Sequence, residues 1–221
     1  MKRSFQCAFG TAALLLSSSA WAQDFSSKGQ LAISAERLFG FYHNSATVTR
    51  NNVDDTVKTD SFTLLTSPVT TGWNYGAPRV AGDYFIIDHL SLGAALGYSH
   101  VSVGTTDPNG TTTSVSGDSF TFAPRVGYAV LFNNIVGIWP RAGFTYHSLS
   151  SDPVSEHVLA FTLECPFVFT VIPHVVFWGG PTLDLGLSGS QDQKNGAVTT
   201  SFDFNSTEIG IQTGLVAYLD L

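Results

Sequence analysis

The stretch Ser119–His147 alternates between two kinds of residue over two successive runs. Every second position is apolar or proline, and the positions between hold small or polar residues, aside from Leu131 and Trp139, with one charge in each run, Arg125 and Arg141. Asn133-Asn134 separates the runs. A period of two places the two sets of side chains on opposite faces of a strand, so the stretch predicts a β-hairpin. The apolar positions are Phe120, Phe122, Pro124, Val126, Tyr128, Val130 and Phe132, then Val136, Ile138, Pro140, Ala142, Phe144 and Tyr146.

Similar runs recur along the rest of the chain, and their connections alternate in length. Short connections fall at Asp88-His89, Asn133-Asn134 and Val171–Pro173, and longer polar ones at 47–74, 104–117, 149–155 and 188–204. Short turns at one end and long loops at the other are typical of transmembrane β-barrels. The sequence therefore predicts an all-β fold, an eight-stranded antiparallel up-and-down transmembrane β-barrel. Its strands are expected near 29–46, 75–87, 90–103, 118–132, 135–148, 156–170, 174–187 and 205–220.

The composition of the polar face indicates which solvent each face meets. Charged residues make up only 12% of the chain, about half the share usual in soluble domains. The second face of the runs is mainly Gly, Ala, Ser and Thr, and the three lysines after residue 22 lie outside the strands, at Lys28, Lys58 and Lys194. Small residues suit the narrow inside of an eight-stranded barrel, so the apolar face is expected to meet lipid. Aromatic residues near strand ends could form two interfacial girdles: Phe39, Phe41, Tyr84, Tyr98, Phe120, Phe122, Phe132, Phe144, Tyr146 and Phe169.

The first residues have the features of an export signal. Lys2 and Arg3 precede an apolar centre, and Ala20-Trp21-Ala22 is an A-x-A cleavage site, which predicts a cleaved signal peptide over 1–22 and a barrel domain over 23–221. The mature chain would keep one cysteine, Cys165, and eight basic against 17 acidic residues. One cysteine forms no intramolecular disulfide, and the negative charge argues against a nucleic-acid partner.

Eight charged residues are predicted to point into the lumen, where buried charges need partners. Strict alternation would point Arg37 outward, and a β-bulge near Arg37-Leu38 would reverse it. The favoured interpretation is a structural salt-bridge network that closes the lumen; a narrow polar pore and catalytic carboxylates are the alternatives. The predicted network is Glu36, Arg79, Asp83, Arg125, Arg141, Glu164, Asp184 and Glu208.

Proline occurs in the middle of several predicted strands. Pro-Arg pairs begin at Pro78, Pro124 and Pro140, and Pro166 and Pro181 lie in two further strands. Proline removes a ladder N–H, so these positions are expected to mark bulges or bends.

Other candidate sites give weaker signals. Four histidines lie near the predicted outer rim, at His43, His100, His147 and His157, but His147 should point inward while His100 and His157 point outward. Acidic residues of the loops, at 54–60 and 107, lack EF-hand spacing. No nucleophile elbow, P-loop, dinucleotide or zinc motif occurs, and the pairs Ser99-His100 and His147-Ser148 face opposite sides of their strands. We expect no metal, no cofactor and no enzymatic activity.

The mature chain resembles small eight-stranded outer-membrane barrels of the OmpA, OmpX and OmpW kind. The segment Gly29–Gly40, together with the Pro-Arg strands, is also similar to barrel proteins of myxobacteria and their relatives. The resemblance implies residence in the outer membrane, contact with its lipid and lipopolysaccharide, insertion by the barrel-assembly machinery, and a monomer. Such barrels usually end in an aromatic residue, whereas this chain ends in Leu221.

Three functions follow from these predictions. The first is an integral outer-membrane barrel with a structural or surface-interaction role and a closed lumen. The second is a narrow pore or a carrier for small hydrophobic molecules. The third is a soluble periplasmic binder of the lipocalin kind.

Overall fold

The computed structural model describes residues 24–64, 75, 77–106, 112–196 and 198–221, so the predicted signal peptide lies outside the described part. These residues form β-strands, turns and bends, and none of them belongs to a helix suited in length and hydropathy to crossing a bilayer. The strands are β1 Gln30–Arg50, β2 Val53–Leu64, β3 Arg79–Ile87, β4 Leu90–Thr106, β5 Thr112–Tyr128, β6 Val130–Leu131, β7 Val136–Ile138, β8 Arg141–Ser151, β9 Val154–Glu164, β10 Phe167–Ile172, β11 Val175–Asn195 and β12 Val198–Asp220.

The strands close into one antiparallel ring. The order around it is β12-β1-β3-β4-β5-β8-β9-β11, and β11 pairs with β12 to complete the circle. The first and last strands are neighbours, with Gln30 opposite Asp220. Closure leaves the ring without an edge, which is the requirement for a sheet that spans a bilayer. The prediction of an eight-stranded up-and-down barrel is confirmed.

Three of the eight predicted strands are interrupted. β5 and β6 are separated at Ala129, β7 and β8 at Trp139-Pro140, and β9 and β10 at Cys165-Pro166. At two of these breaks a backbone amide still donates a hydrogen bond to the neighbouring part of the sheet. Trp139 N donates to Pro166 O at 2.9 Å, and Cys165 N donates to Pro181 O at 3.0 Å. Proline therefore marks breaks at two places, while Pro124 and Pro181 lie within continuous strands.

The predicted long loops are mostly strand, which corrects their assignment. The 47–74 region contains β2, and β4, β5, β11 and β12 continue through most of 104–117 and 188–204. These outer segments are polar on both faces, so they show no alternation, although their Thr and Val residues favour strands. The apolar patch predicted at 62–69 extends β2 as far as Leu64, and its remainder lies outside the described residues.

β1 changes partner halfway along its length. Residues up to Glu36 pair with β3, and residues from Phe39 onward pair with β2. At this branch the register with β12 shifts between Ala35 and Phe39, and Arg37 adopts a left-handed conformation with φ of 56°. The predicted bulge is therefore present. It turns Arg37 into the lumen, where its side chain is fully buried.

The outer face of the ring carries a continuous apolar belt. Leu96, Val126 and Ile211 are 55%, 43% and 62% exposed, and all ten predicted girdle aromatics point outward with at least 39% of their surface exposed. The inner positions hold small, polar and charged residues in the middle of the ring, and large apolar side chains such as Trp139, Trp178 and Phe204 nearer its ends. An apolar exterior around a closed ring is the form of a barrel that meets lipid.

The orientation of the barrel in the membrane can be tested with cysteine labelling. In a Cys165→Ser background, Lys58→Cys at the exposed outer hairpin should react with a membrane-impermeant maleimide in intact cells. Asn134→Cys, in an exposed short turn, should react only after the outer membrane is permeabilised, because short turns face the periplasm. Equal labelling of both positions in intact cells would contradict this orientation.

Candidate functional site: the interior of the barrel

Three layers of side chains fill the interior, and charges occupy the middle one. Near the chain termini lies an apolar cluster that includes Phe25, Trp139 and Trp178. Near the outer hairpins lies a second cluster that includes Tyr75 and Phe204. The eight charges predicted from the sequence lie between these clusters, together with Arg37, and each is at most 8% exposed.

Glu36 is the central acceptor of the charged layer. Arg125 donates to both of its carboxylate oxygens, from Nη1 and Nη2, at 2.7 Å each. Arg141 Nη1 donates to Oε1 at 2.8 Å and Arg79 Nε to Oε2 at 2.9 Å. The Ser34 hydroxyl adds a bond at 2.9 Å. Three guanidinium groups from three strands thus converge on one carboxylate of β1.

Glu164 is the second centre, on the opposite side of the layer. Arg79 Nη2 donates to its Oε1 at 2.6 Å, and Gln212 Nε2 donates to the same oxygen at 2.9 Å. Arg141 Nη2 lies 2.8 Å from Oε2. Arg79 and Arg141 therefore each bridge Glu36 and Glu164, and they tie strands on distant parts of the ring to each other.

Asp83 completes the pairing of Arg125. Arg125 Nε donates to Asp83 Oδ1 at 3.0 Å, and a second bond runs from Nη2 to Oδ2. A side chain at Gly93 of β4 would collide with Asp83, whose Oδ1 lies 2.3 Å from the position of an added Cβ. Glycine at this position therefore provides the space that the Asp83–Arg125 pair occupies.

Arg37 organises the outer side of the layer. Its Nη2 donates to Asp184 Oδ2 at 3.0 Å, and its Nη1 donates to the backbone carbonyl of Tyr75. Glu208 Oε1 lies 3.6 Å from Arg37 Nη1, an ion pair too long for a hydrogen bond. The Thr162 hydroxyl donates to the other oxygen of Asp184 at 2.6 Å.

Aromatic rings close the end of the lumen that faces the short turns. The Arg141 guanidinium lies between the rings of Trp139 and Trp178, 4.8 and 4.6 Å from their centroids, in a double cation–π arrangement. Beneath them, Phe25 packs edge-on against Phe85 and Trp139 at 5.4 and 5.3 Å. Phe25 precedes the first strand, so a residue outside the sheet fills this mouth.

A residue outside the sheet also contributes to the opposite end. Tyr75, between β2 and β3, is 1% exposed, and its hydroxyl donates to Ser206 O at 3.4 Å. Its ring meets His147 edge-on at 6.0 Å, and His147 Nδ1 lies 2.7 Å from the Thr121 hydroxyl. Both ends of the charged layer are therefore covered.

The sequence pattern predicted many of the residues that fill this interior, but not all of them. The structure brings together all eight predicted network residues, which come from seven of the eight ring strands. The sequence missed Gln212 and Tyr75 as members, and it placed Arg37 inside only through the assumed bulge. Gln212 lies on the same predicted inner face of its strand as Glu208, so the alternation alone could have placed its side chain in the lumen. No alternating pattern around Tyr75 indicates that its side chain lies in the interior.

The outer histidines do not converge, as predicted. On the outward face, His43 Nδ1 lies 2.7 Å from Asp60 and His100 Nδ1 2.8 Å from Asp118, in pairs on different hairpins. No group of three or more potential metal ligands occurs within the described residues. His100 contacts Asp118 and not Ser99, whose hydroxyl lies 2.7 Å from that of Ser119.

The His–Asp pairs lie one step beyond the aromatic girdle. Phe41 and Phe62, below His43–Asp60, have ring centroids 4.7 Å apart, and Tyr98 pairs with Phe120 below His100–Asp118. Hydrogen bonds from His100 and Tyr98 lower the pKa of Asp118, which lies outside the belt. The two hairpins therefore cross the same boundary with the same sequence of residue types.

Comparison with solved structures identifies the class of fold. No family model and no curated protein matches the chain. The outer membrane protein AlkL, solved in DMPC bilayers, has a TM-score of 0.55 and 11% identity, over 100% of this chain and 98% of that one. OprG from Pseudomonas aeruginosa has a TM-score of 0.50 and 8% identity, over 88% and 98%. Neisserial surface protein A has a TM-score of 0.47 and 13% identity, over 86% and 99%.

The fold is that of a small outer-membrane β-barrel. AlkL and OprG share its closed antiparallel ring, and the apolar belt of this chain supplies the surface that such a ring presents to lipid. The protein is an integral protein of the outer membrane, in contact with outer-membrane lipid.

The convergence on Glu36 leads to a prediction about stability. Glu36→Gln should lower the free energy of unfolding by about 3–5 kcal/mol, because three buried guanidinium groups lose part of their compensation. Asp60→Asn, which changes an exposed carboxylate of a rim pair, should cost about 1 kcal/mol or less. Urea titration followed by the gel mobility of folded and unfolded protein measures both. Equal losses would contradict the central role of Glu36.

The hydrogen bonds of Asp118 with His100 and Tyr98 predict that the stability of the folded protein depends on pH. A carboxyl whose pKa is lowered on folding stabilises the protein above the ordinary aspartate pKa, about 3.9, and this contribution is lost as pH falls through the lowered value. The stability difference between the native chain and Asp118→Asn should therefore be largest near neutral pH and should vanish in strong acid. Asp55→Asn, at another exposed outer carboxylate, serves as the control in the same urea titrations. A difference that persists unchanged in strong acid would contradict the contribution of the Asp118 carboxylate.

Proposed function

We propose that this protein is a structural, non-conducting outer-membrane barrel that presents its outer hairpins as an interaction surface. The observation that carries the proposal is the filled interior. A layer of nine buried ionisable side chains crosses the lumen, and apolar clusters that include Phe25 and Tyr75 lie on its two sides. Movement of a solute along the axis would require these contacts to break.

The outer hairpins support the second part of the proposal. β1, β2, β4, β5, β11 and β12 all continue beyond the aromatic girdle. Nearly all side chains of β2 are exposed, on both of its faces. Strands that bury so little apolar area contribute little to the barrel itself, so their exposed surface is the part available to partners. A monomeric state and insertion by the barrel-assembly machinery remain predictions.

One observation favours a narrow polar conduit as the second candidate. Several buried polar atoms in the charged layer have no hydrogen-bond partner among the described residues, including Arg37 Nε, Arg79 Nη1 and Arg141 Nε. Buried polar groups of this kind are commonly satisfied by ordered water. A chain of such waters would give a conducting path. The apolar belt argues against the soluble lipocalin-like binder, because it would face water in a soluble protein.

Recordings in planar bilayers separate the closed barrel from the conduit. Folded protein, confirmed by its heat-modifiable gel mobility, should give no steady conductance above that of the bare membrane. A steady conductance that changes in Arg125→Ala, and not in the hairpin-tip control Lys194→Ala, would overturn the closed barrel in favour of the conduit. The same result would assign Arg125 to the conducting path.

A further inference from the structure

A polar groove lies on the outside of the barrel, at the outer ends of β1, β12 and β11. It encloses about 280 Å³, close to the lower end of the range for small-molecule sites, about 300–1,000 Å³. Phe204 also belongs to the interior cluster that contains Tyr75, and none of the residues that form the groove belongs to the charged layer or the aromatic girdle. The groove is formed by Thr47, Thr49, Leu187, Ser188, Gly189, Asp203, Phe204 and Asn205.

A bulge in β11 forms one wall of the groove. The pairing of β11 shifts against β9 between Gly186 and Ser188, and against β12 between Leu185 and Ser190. Both shifts leave one extra residue in β11, and bulges of this kind redirect side chains at barrel rims. A Cβ added at Gly189 would lie 2.6 Å from His157 O, and one added at Gly186 would lie 2.2 Å from Asn205 Oδ1. The two glycines therefore allow the backbone to take this shape.

The groove lies at a defined height above the lipid belt. Along β12, Ile211 and Ile209 are the last large apolar side chains on the outer face, at 62% and 56% exposed. Asn205 lies four residues nearer the outer end of β12 than Ile209, about 13 Å further along the strand at about 3.3 Å per residue. Leu187, on the β11 side, is 54% exposed and continues the belt to the edge of the groove. The groove therefore extends outward from the edge of the apolar belt, on the side away from the acyl chains.

The chemistry of the lining selects a class of ligand. Its polar groups are three hydroxyls, one carboxamide and one carboxylate, and none of its residues carries a positive charge. Asn205 Nδ2 donates to Gly186 O at 3.3 Å, which leaves its Oδ1 as an acceptor. Asp203 would repel a phosphate group, whereas a carboxylate and an amide oxygen accept hydrogen bonds from sugar hydroxyls. The lining suits a neutral sugar better than an anion.

We propose that this groove binds a neutral core sugar of a lipopolysaccharide molecule whose acyl chains lie against the adjacent belt. The ligand is amphiphilic, and so is the site, with Leu187 on the membrane side and Asp203 and Asn205 on the outer side. The proposal depends on the placement of the barrel in the outer membrane. It does not depend on whether the lumen conducts, so evidence for a conducting lumen would not count against the proposed sugar site.

Titrations of the full chain followed by native mass spectrometry test the site. The folded protein in detergent is titrated with rough lipopolysaccharide that carries its core sugars, and with lipid A that has the same acyl chains but no core. The core-bearing lipid should bind more tightly. Ser188→Trp fills the groove, so it should weaken binding of the core-bearing lipid roughly tenfold or more and leave lipid A unaffected.

Two further variants make the test specific. Ser116→Trp places the same ring on another exposed serine of the outer strands and should bind both lipids as the native chain does. If Ser188→Trp fails to fold, Asp203→Ala combined with Asn205→Ala takes its place in the test. This double variant removes two hydrogen-bond acceptors without adding bulk, and it should also weaken binding of the core-bearing lipid. Equal affinity of the native chain for the two lipids, or a Ser188→Trp variant that retains the preference, would overturn the proposal. Free core oligosaccharide that binds as tightly as the whole lipid would overturn the assignment to a membrane lipid.

Discussion

The rest of the barrel is arranged around the burial of charge inside a narrow ring. Glu36 accepts hydrogen bonds from three guanidinium groups, and Arg79 and Arg141 extend that contact to Glu164. Charges in such a place are stable only when they are paired, since each lacks the water that would otherwise solvate it. Pairs across the lumen fix the strands relative to one another in a way that local ladder bonds cannot.

The two ends of the charged layer show how the fold protects these pairs. Trp139 and Trp178 hold Arg141 from two sides, and Phe25 lies below them. At the other end, Arg37 holds the backbone of Tyr75. In both places a residue outside the ring is drawn inward to complete the packing. The interior is thus made from the sheet and from the segments that flank it.

The sequence predicted the faces of the strands well, and the physical reason is simple. Lipid outside and close packing inside demand different residues at alternate positions, so Phe120 and Arg125 reveal their environments from spacing alone. The alternation of residue types ends where that contrast between the two faces ends. Beyond the girdle both faces meet water, and the strand β2 therefore reads as a loop. Tyr75 lies in a connection without any period, and only the fold brings it to the interior.

The pairing of β1 with β12 also constrains when the barrel can form. Gln30 begins the first strand of the ring and Asp220 ends the last one, yet they pair directly in the sheet. Glu36, on the first strand, has partners on β3, β5 and β8. The first part of the chain to emerge must therefore wait for later strands before its carboxylate is compensated, and the circle closes only when the last strand arrives. The closed ring is therefore complete only after the whole chain has been synthesised.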